Sequence, residues 1–124
     1  MTNSEYLREA AAVLRKDGWV RGERTDIKGR HCILGAFDKA SGGWKTTDLA
    51  AIIAPYLPVP PKDSCDTYNG GNIITAQSTP DSKVACWNNM IATDIDDVVA
   101  KLKFVADALD AKEKESCLEP PAAL

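Results

Sequence analysis

An α+β fold, mostly α, is what this sequence predicts: four or five helices around a small β-hairpin, in a single compact domain. Three observations lead there. Apolar residues recur at helical spacing near both ends of the chain, as in Leu7, Ala10, Ala11 and Leu14 and again from Ile95 to Leu109. A strong turn signature, Asp26-Ile27-Lys28-Gly29, lies between two short segments that read as strands. The length, 124 residues with 44% hydrophobic and 27% charged, suits one domain with a real core.

The first helix is expected over Asn3–Lys16, with Thr2 and Glu5 in capping-box positions and Gly18 as the stop. Trp19 should fold back onto its end. Residues 19–34 then form the hairpin, with strands Trp19–Arg24 and Arg30–Leu34, although their apolar alternation is poor. Such a hairpin is marginal alone and must pack on helices. A short helix over Leu34–Ala40 ends at Ser41-Gly42-Gly43, and Gly35 and Ala36 allow close approach of another backbone. The next helix, from Thr47 to Ala54, is stopped by Pro55.

Residues 58–81 are a long loop rich in proline and glycine, with a short extended piece at Asn72–Ala76. A helix from Ser82 to Met90 follows, capped by Thr79 or Asp81, with Val84, Trp87, Met90 and Ile91 on one face. The last helix starts at a Thr93 cap with Asp94, Asp96 and Asp97 in its first turn. Its apolar stripe is Ile95, Val98, Val99, Leu102, Ala106 and Leu109. The globular domain is thus 1–111, and 112–124 read as a flexible tail.

Cys32 is the first candidate for chemistry. It follows His31 and precedes a helix start, where a thiol's pKa can fall. A cysteine nucleophile needs a base, and His31 is the chain's one histidine. Neighbours in a strand face opposite ways, so Cys32 and His31 should not meet, and the balance is against an enzyme. The pair Trp87 and Asn88 could hold a ligand by stacking and amide hydrogen bonding; packing of Trp87 and a tie from Asn88 to a loop is the favoured alternative. If the two halves of the chain pack together, Trp19 and Trp87 are the natural bridge between them.

Residues 15–30 carry six cations (Arg15, Lys16, Arg21, Arg24, Lys28 and Arg30) against three carboxylates, while the last helix is acidic. Arg21, Arg24, Lys28 and Arg30 could therefore face nucleic acid, but a net charge of -3 disfavours that use. Cys32, Cys65, Cys86 and Cys117 contain no Cys-x-x-Cys pair, so no metal is expected and four free thiols are. Asp63 and Asp66 beside Cys65 lack calcium-loop spacing. No phosphate-binding or dinucleotide motif occurs, so no cofactor is expected either. The chain has no membrane-spanning apolar run, and its start lacks signal-peptide features, which places it in the cytoplasm. Oligomeric state is left open.

Gly18-Trp19, Asp26-x-x-Gly29-Arg30, Cys32-x-x-Gly35-Ala36 and Trp87-Asn88 before a final amphipathic helix resemble an uncharacterised family of short proteins from actinobacteria and their phages. The likeness covers residues 7–43 and 84–109. That family usually has Asp after the Trp-Asn pair, where this chain has Asn89. The resemblance implies a phage or actinobacterial source and assigns no activity. The expected function is a non-catalytic binding or accessory protein engaging a host protein. One alternative is a small cysteine-dependent enzyme or ligand binder using Cys32 and the Trp87-Asn88 pair. The other is a weak nucleic-acid binder through residues 15–30. The expected binding residues are Trp19, Arg21, Arg24, Arg30, Trp87 and Asn88.

Overall fold

The structure, a computed structural model, describes residues 1–58, 67–69, 72–74 and 79–118, with side chains to residue 112 and none in the two strands. Most of loop 58–81, including Asp63, Cys65 and Asp66, and the last residues of the tail lie outside the described residues.

Helix α1 spans Asn3–Asp17. Its start is fixed reciprocally: Thr2 Oγ1 accepts from the Glu5 amide at 3.2 Å, and the Thr2 amide donates to Glu5 Oε1 at 3.1 Å. Gly18 ends it at φ 102°, donating its N–H to the Leu14 carbonyl. Leu7, Ala10, Ala11 and Leu14 are buried, and the small alanines let α1 lie close to its main neighbours, α5 (Ile95–Leu118) and α2 (Ile33–Ser41). Helix α3 (Thr46–Ile53) runs into one 3₁₀ turn, Ala54–Tyr56, where Pro55 prevents continuation.

Helix α4 (Pro80–Cys86) is capped by Thr79, whose hydroxyl accepts from the Ser82 amide at 3.0 Å. It does not continue as α-helix to Met90. A π-helical turn occupies Trp87–Ile91. The wider turn carries Met90 away from the face of Val84 and Trp87, which are buried, and leaves Met90 65% exposed. Helix α5 is capped by Asp94, not Thr93: Asp94 Oδ1 accepts from the Asp97 amide at 2.9 Å, and Asp97 Oδ2 accepts from the Thr93 amide at 3.0 Å. Val98, Val99, Leu102, Val105 and Ala106 enter the core from α5, whose backbone stays helical to Leu118, beyond the expected tail boundary.

The α+β expectation is corrected by this architecture, which is helical. The predicted hairpin at 19–34 does not form; the segment makes isolated bridges, Trp19 to His31 and Thr25 to His31, and no strand. A few backbone bonds do cross between the flanks, Val20 to His31, His31 to Gly18 and Cys32 to Arg24, but they form no ladder, and side chains from distant elements hold other groups, a solution that needs no alternation. Among the described residues, strands are confined to a three-residue antiparallel pair inside the long loop, β1 (Thr67–Asn69) and β2 (Asn72–Ile74), with Tyr68 opposite Ile73. The core is drawn from all five α-helices, with Cys32, Leu57, Trp87 and Ala92 at their ends and junctions.

Candidate functional site

Residues 18–32 form an irregular loop that lies across the ends of α1, α2 and the π turn. Each of its turns has an identifiable cause. Asp26 Oδ1 accepts from the Lys28 and Arg30 amides at 3.0 and 2.8 Å, and Oδ2 accepts from Arg30 Nε at 2.6 Å. The Gly29 amide closes the turn on the Asp26 carbonyl at 3.0 Å, with Gly29 at φ 82°. Ile27, at the tip, is wholly exposed.

Burial works to raise the Asp26 pKa, but the amide and guanidinium of Arg30 and the amide of Lys28 outweigh it, so it sits below the ordinary carboxylate range. A depressed folded-state pKa gives stabilisation that is present above the unfolded value, ~3.9, and is lost as pH falls through the lower folded value. Hydrogen-exchange protection of the Lys28 and Arg30 amides should accordingly persist from neutral pH to about 4 and collapse below it. Loss of protection already at pH 6 would contradict the assignment.

The loop's other anchor is Asn88, fully buried at the π turn. Its Oδ1 accepts from Trp19 Nε1 at 2.7 Å and from the Ile33 amide at 3.1 Å. Its Nδ2 donates to the Val20 carbonyl at 3.2 Å and to Asn89 Oδ1 at 2.9 Å. An amide side chain offers two donors and two acceptor positions, so the group is fully satisfied. The two halves of the chain are therefore bridged here by indole and amide, Trp19 to Asn88, with Trp19 also packed against the core that holds Trp87. Trp87 itself is 3% exposed and belongs to the core.

Asn89 Oδ1 also accepts from the Gly22 amide at 2.8 Å. Both of these bonds use the oxygen, which a carboxylate supplies equally well. Asn89→Asp should leave the melting temperature unchanged or raise it slightly, since hydrogen bonds to a charged acceptor are the stronger kind. A clear drop in a thermal melt would overturn this reading of the position as an acceptor.

Close approach adds a further constraint. The Arg24 carbonyl accepts from the Cys32 amide at 3.1 Å and passes directly over Gly35, where a Cβ would lie 1.8 Å from that oxygen. Gly35→Ala must push the loop off α2 and should cost about 1–3 kcal/mol, the usual range for overpacking. Chemical denaturation measures it, and a variant as stable as the parent would show that the loop yields freely.

His31 and Cys32 are both buried and turn apart. His31 Nδ1 meets Thr25 Oγ1 at 2.8 Å, and Nε2 meets Asp17 Oδ2 at 2.8 Å. The His31 hydrogen bond holds the Asp17 carboxyl below its ordinary range. Cys32 is the N-cap of α2, its Sγ accepting from the Gly35 amide at 3.5 Å. Burial pushes its thiol pKa up, against the direction a nucleophile needs. The expectation of four free thiols is corrected too: Cys86 is disulfide-bonded, while Cys32 is free.

The arginines of the basic cluster are engaged. Arg21 lies 4.9 Å over the Trp19 ring and donates to the carbonyls of Ala92 and Thr93. Arg24 pairs with Asp38 at 2.7 Å, Arg30 with Asp26 at 2.6 Å and Arg15 with Asp96 at 2.6 Å. Sequence reasoning missed Asp17 and Thr25 because their link to His31 is a matter of loop path. It also missed a second cationic surface, Arg8, Arg15 and Lys16 on α1 with Lys103 on α5. Helical spacing of positions 8, 12, 15 and 16 was the signal for it.

These contacts give Gly18, Trp19, Asp26, Gly29, Arg30, Cys32, Gly35, Trp87 and Asn88 each a place in the loop, its turns or the core. The chain belongs to DUF6197, a family of unknown function. The family match covers residues 1–108. No curated protein and no solved structure matches the chain. The DUF6197 match runs through α1, the loop, the π turn and the start of α5, so it contains both the Asn88 hub and everything the hub holds. Among the described residues no helix is long and apolar enough to cross a membrane, and no cluster of His, Cys, Asp and Glu could hold a metal ion.

Proposed function

We propose that this DUF6197 chain is a non-catalytic binding protein that presents the tip of loop 18–32 to a protein partner. One observation carries the reading: the motif's polar groups are satisfied by one another, and what they hold outward is Ile27 beside Lys28. A rigid, exposed tip loses little entropy on docking. An apolar side chain next to a cation suits a partner pocket that is apolar with an acidic rim. The resemblance to actinobacterial and actinophage proteins makes a host protein the natural partner.

Affinity capture from actinobacterial lysate, with the parent and Ile27→Asp side by side, tests the proposal. A protein retained by the parent and lost by the variant supports it. Equal capture by both, or capture by neither, counts against it. Nucleic-acid binding through Arg21, Arg24, Lys28 and Arg30 is the weaker reading, because all three guanidiniums already have protein partners, which leaves Lys28 as the one member of the set without an ion pair among the described residues. The cytoplasm is the compartment proposed from the sequence. The Cys86 disulfide weighs the other way, since cytosolic thiols are kept reduced. Alkylation of Cys86 under denaturing conditions in freshly lysed cells decides it, since the residue is buried in the fold: a modified thiol places the protein in a reducing compartment, and a protected one removes the cytoplasm from the proposal.

A second reading has a specific observation of its own. Thr25, His31 and Asp17 form a hydroxyl–imidazole–carboxylate chain, the order of groups that activates a nucleophile in hydrolases. It moves any catalytic role from Cys32 to Thr25. Hydrolysis of p-nitrophenyl acetate above the background of Thr25→Ala would favour it, and equal rates would remove it.

A further inference from the structure

Between α1 and α5 lies an open groove of about 480 Å³, lined by Arg8, Ala11, Ala12, Arg15, Lys16 and Lys103. Every charged residue lining it is a cation, on a chain whose net charge is -3. The carboxylates stand at its rim, each bound to an arginine: Asp107 and Asp110 to Arg8, both at 2.7 Å, and Asp96 to Arg15 at 2.6 Å. Arg8 meets both partners through Nη2, and Arg15 meets its partner through Nη1. A guanidinium has five N–H donors, so each arginine is held in place and keeps donors unused. Lys16 and Lys103 have no ion pair among the described residues.

The geometry points to an anion-binding groove for a small organic phosphate monoester. Its volume falls within the range of small-molecule sites, roughly 300–1,000 Å³. Two unpaired ammoniums match the charge of a phosphate monoester, about -1.5 to -2 at neutral pH. Fixed guanidiniums with unused donors suit its oxygens. Ala11 and Ala12 leave a floor without bulk, on which a flat organic body can rest. The adjoining depression sets the limit of the site. It shares Ala12 and Lys16 but is also lined by Glu9 and Asp17, whose charge would repel an anion. This groove is separate from the tip of loop 18–32, and the inference stands or falls without it.

Titration with adenosine 5′-monophosphate at low salt, followed by amide NMR, tests it. The expected result is saturable shifts at Ala11, Ala12, Lys16 and Lys103. Adenosine should bind at least tenfold more weakly, as should the Lys16→Glu, Lys103→Glu double variant, since charge-assisted hydrogen bonds carry factors of roughly ten or more. Both lysines are exposed, so the double variant should melt with the parent. Absence of saturable shifts, or equal binding by the double variant, overturns the inference. So does inorganic phosphate binding as well as the nucleotide, which would leave the alanine floor without a role. A single-stranded oligonucleotide whose affinity grows with length would assign the groove to a nucleic-acid backbone and overturn the small-ligand assignment.

Discussion

Asn88→Leu should destabilise the protein by about 3–6 kcal/mol and free the loop from the π turn. Leucine matches the volume of asparagine closely enough that packing is not the main issue. The loss is polar: Trp19 Nε1, the Ile33 amide and the Val20 carbonyl all lose the fully buried Asn88 amide as partner, the Ile33 amide in a buried setting and the other two in a half-buried one. Each stranded buried group costs about 1–3 kcal/mol, and total stability for a domain is only about 5–15 kcal/mol. Asn88→Asp should fail as well, for a different reason. Its carboxylate could still accept from Trp19 and Ile33, but it would set a second oxygen against the Val20 carbonyl and Asn89 Oδ1, where the native amide donates. Urea denaturation followed by tryptophan fluorescence reads both variants. If either one unfolds at the parent's midpoint, the hub is decoration and the loop is held by Asp26, Gly35 and His31.

The regular helices were legible because their signals are local. Thr2 and Glu5 make a capping box whatever else the chain does, the Leu7 to Leu14 stripe buries as spaced, and in the last helix Val98, Val99, Leu102 and Ala106 bury while Ile95 and Leu109 at the stripe's ends do so only in part. The segment 19–34 was misread as a hairpin because its turn is a real hairpin-like turn. Asp26 and Gly29 close it as expected. What decides the flanks lies some 55–70 residues away in sequence, at Asn88, Asn89 and Ala92. The poor alternation of the flanks was the one local sign that ladder pairing did not hold them. The π turn was hidden for the same reason: Trp87-Asn88-Asn89 reads as helix, and only the need to aim both amides at the loop widens it.

The candidate site was legible as residue types and not as roles. Cys32 stands where a reactive thiol would stand, yet it acts as a buried cap. The arginines of 21–30 look like a patch in a list of charges, but Arg21 is held by carbonyls beyond the π turn, Arg24 by a carboxylate on α2 and Arg30 by Asp26 of its own loop. Charge counting along a chain sees neighbours in sequence, whereas pairing is set by neighbours in space. Lys16 and Lys103, which have no ion pair among the described residues, sit on two helices 87 positions apart, and only packing of α1 on α5 brings them to one groove.

Trp87→Ala should be the most damaging single truncation in the core and should exceed Cys32→Ser clearly. The indole is 3% exposed at the junction of α4 and the π turn, within the cluster that also holds Val84, Val98 and Leu102. Removing a buried tryptophan side chain costs about 3–5 kcal/mol, from lost apolar burial and from the cavity left behind. At roughly 4 °C per kcal/mol for a domain of this size, the melting temperature should fall by about 10–20 °C. Cys32→Ser replaces the buried sulfur by a smaller, more polar oxygen, but the serine hydroxyl can still cap α2 through the Gly35 amide, and serine is the better capping residue. A shift of a few degrees is expected there. The reverse ordering would follow if Trp87 were a ligand platform and Cys32 the true packing anchor. Thermal melts of the two variants beside the parent separate these outcomes, and a Trp87→Ala protein melting within a few degrees of the parent would move Trp87 from the core to a binding site.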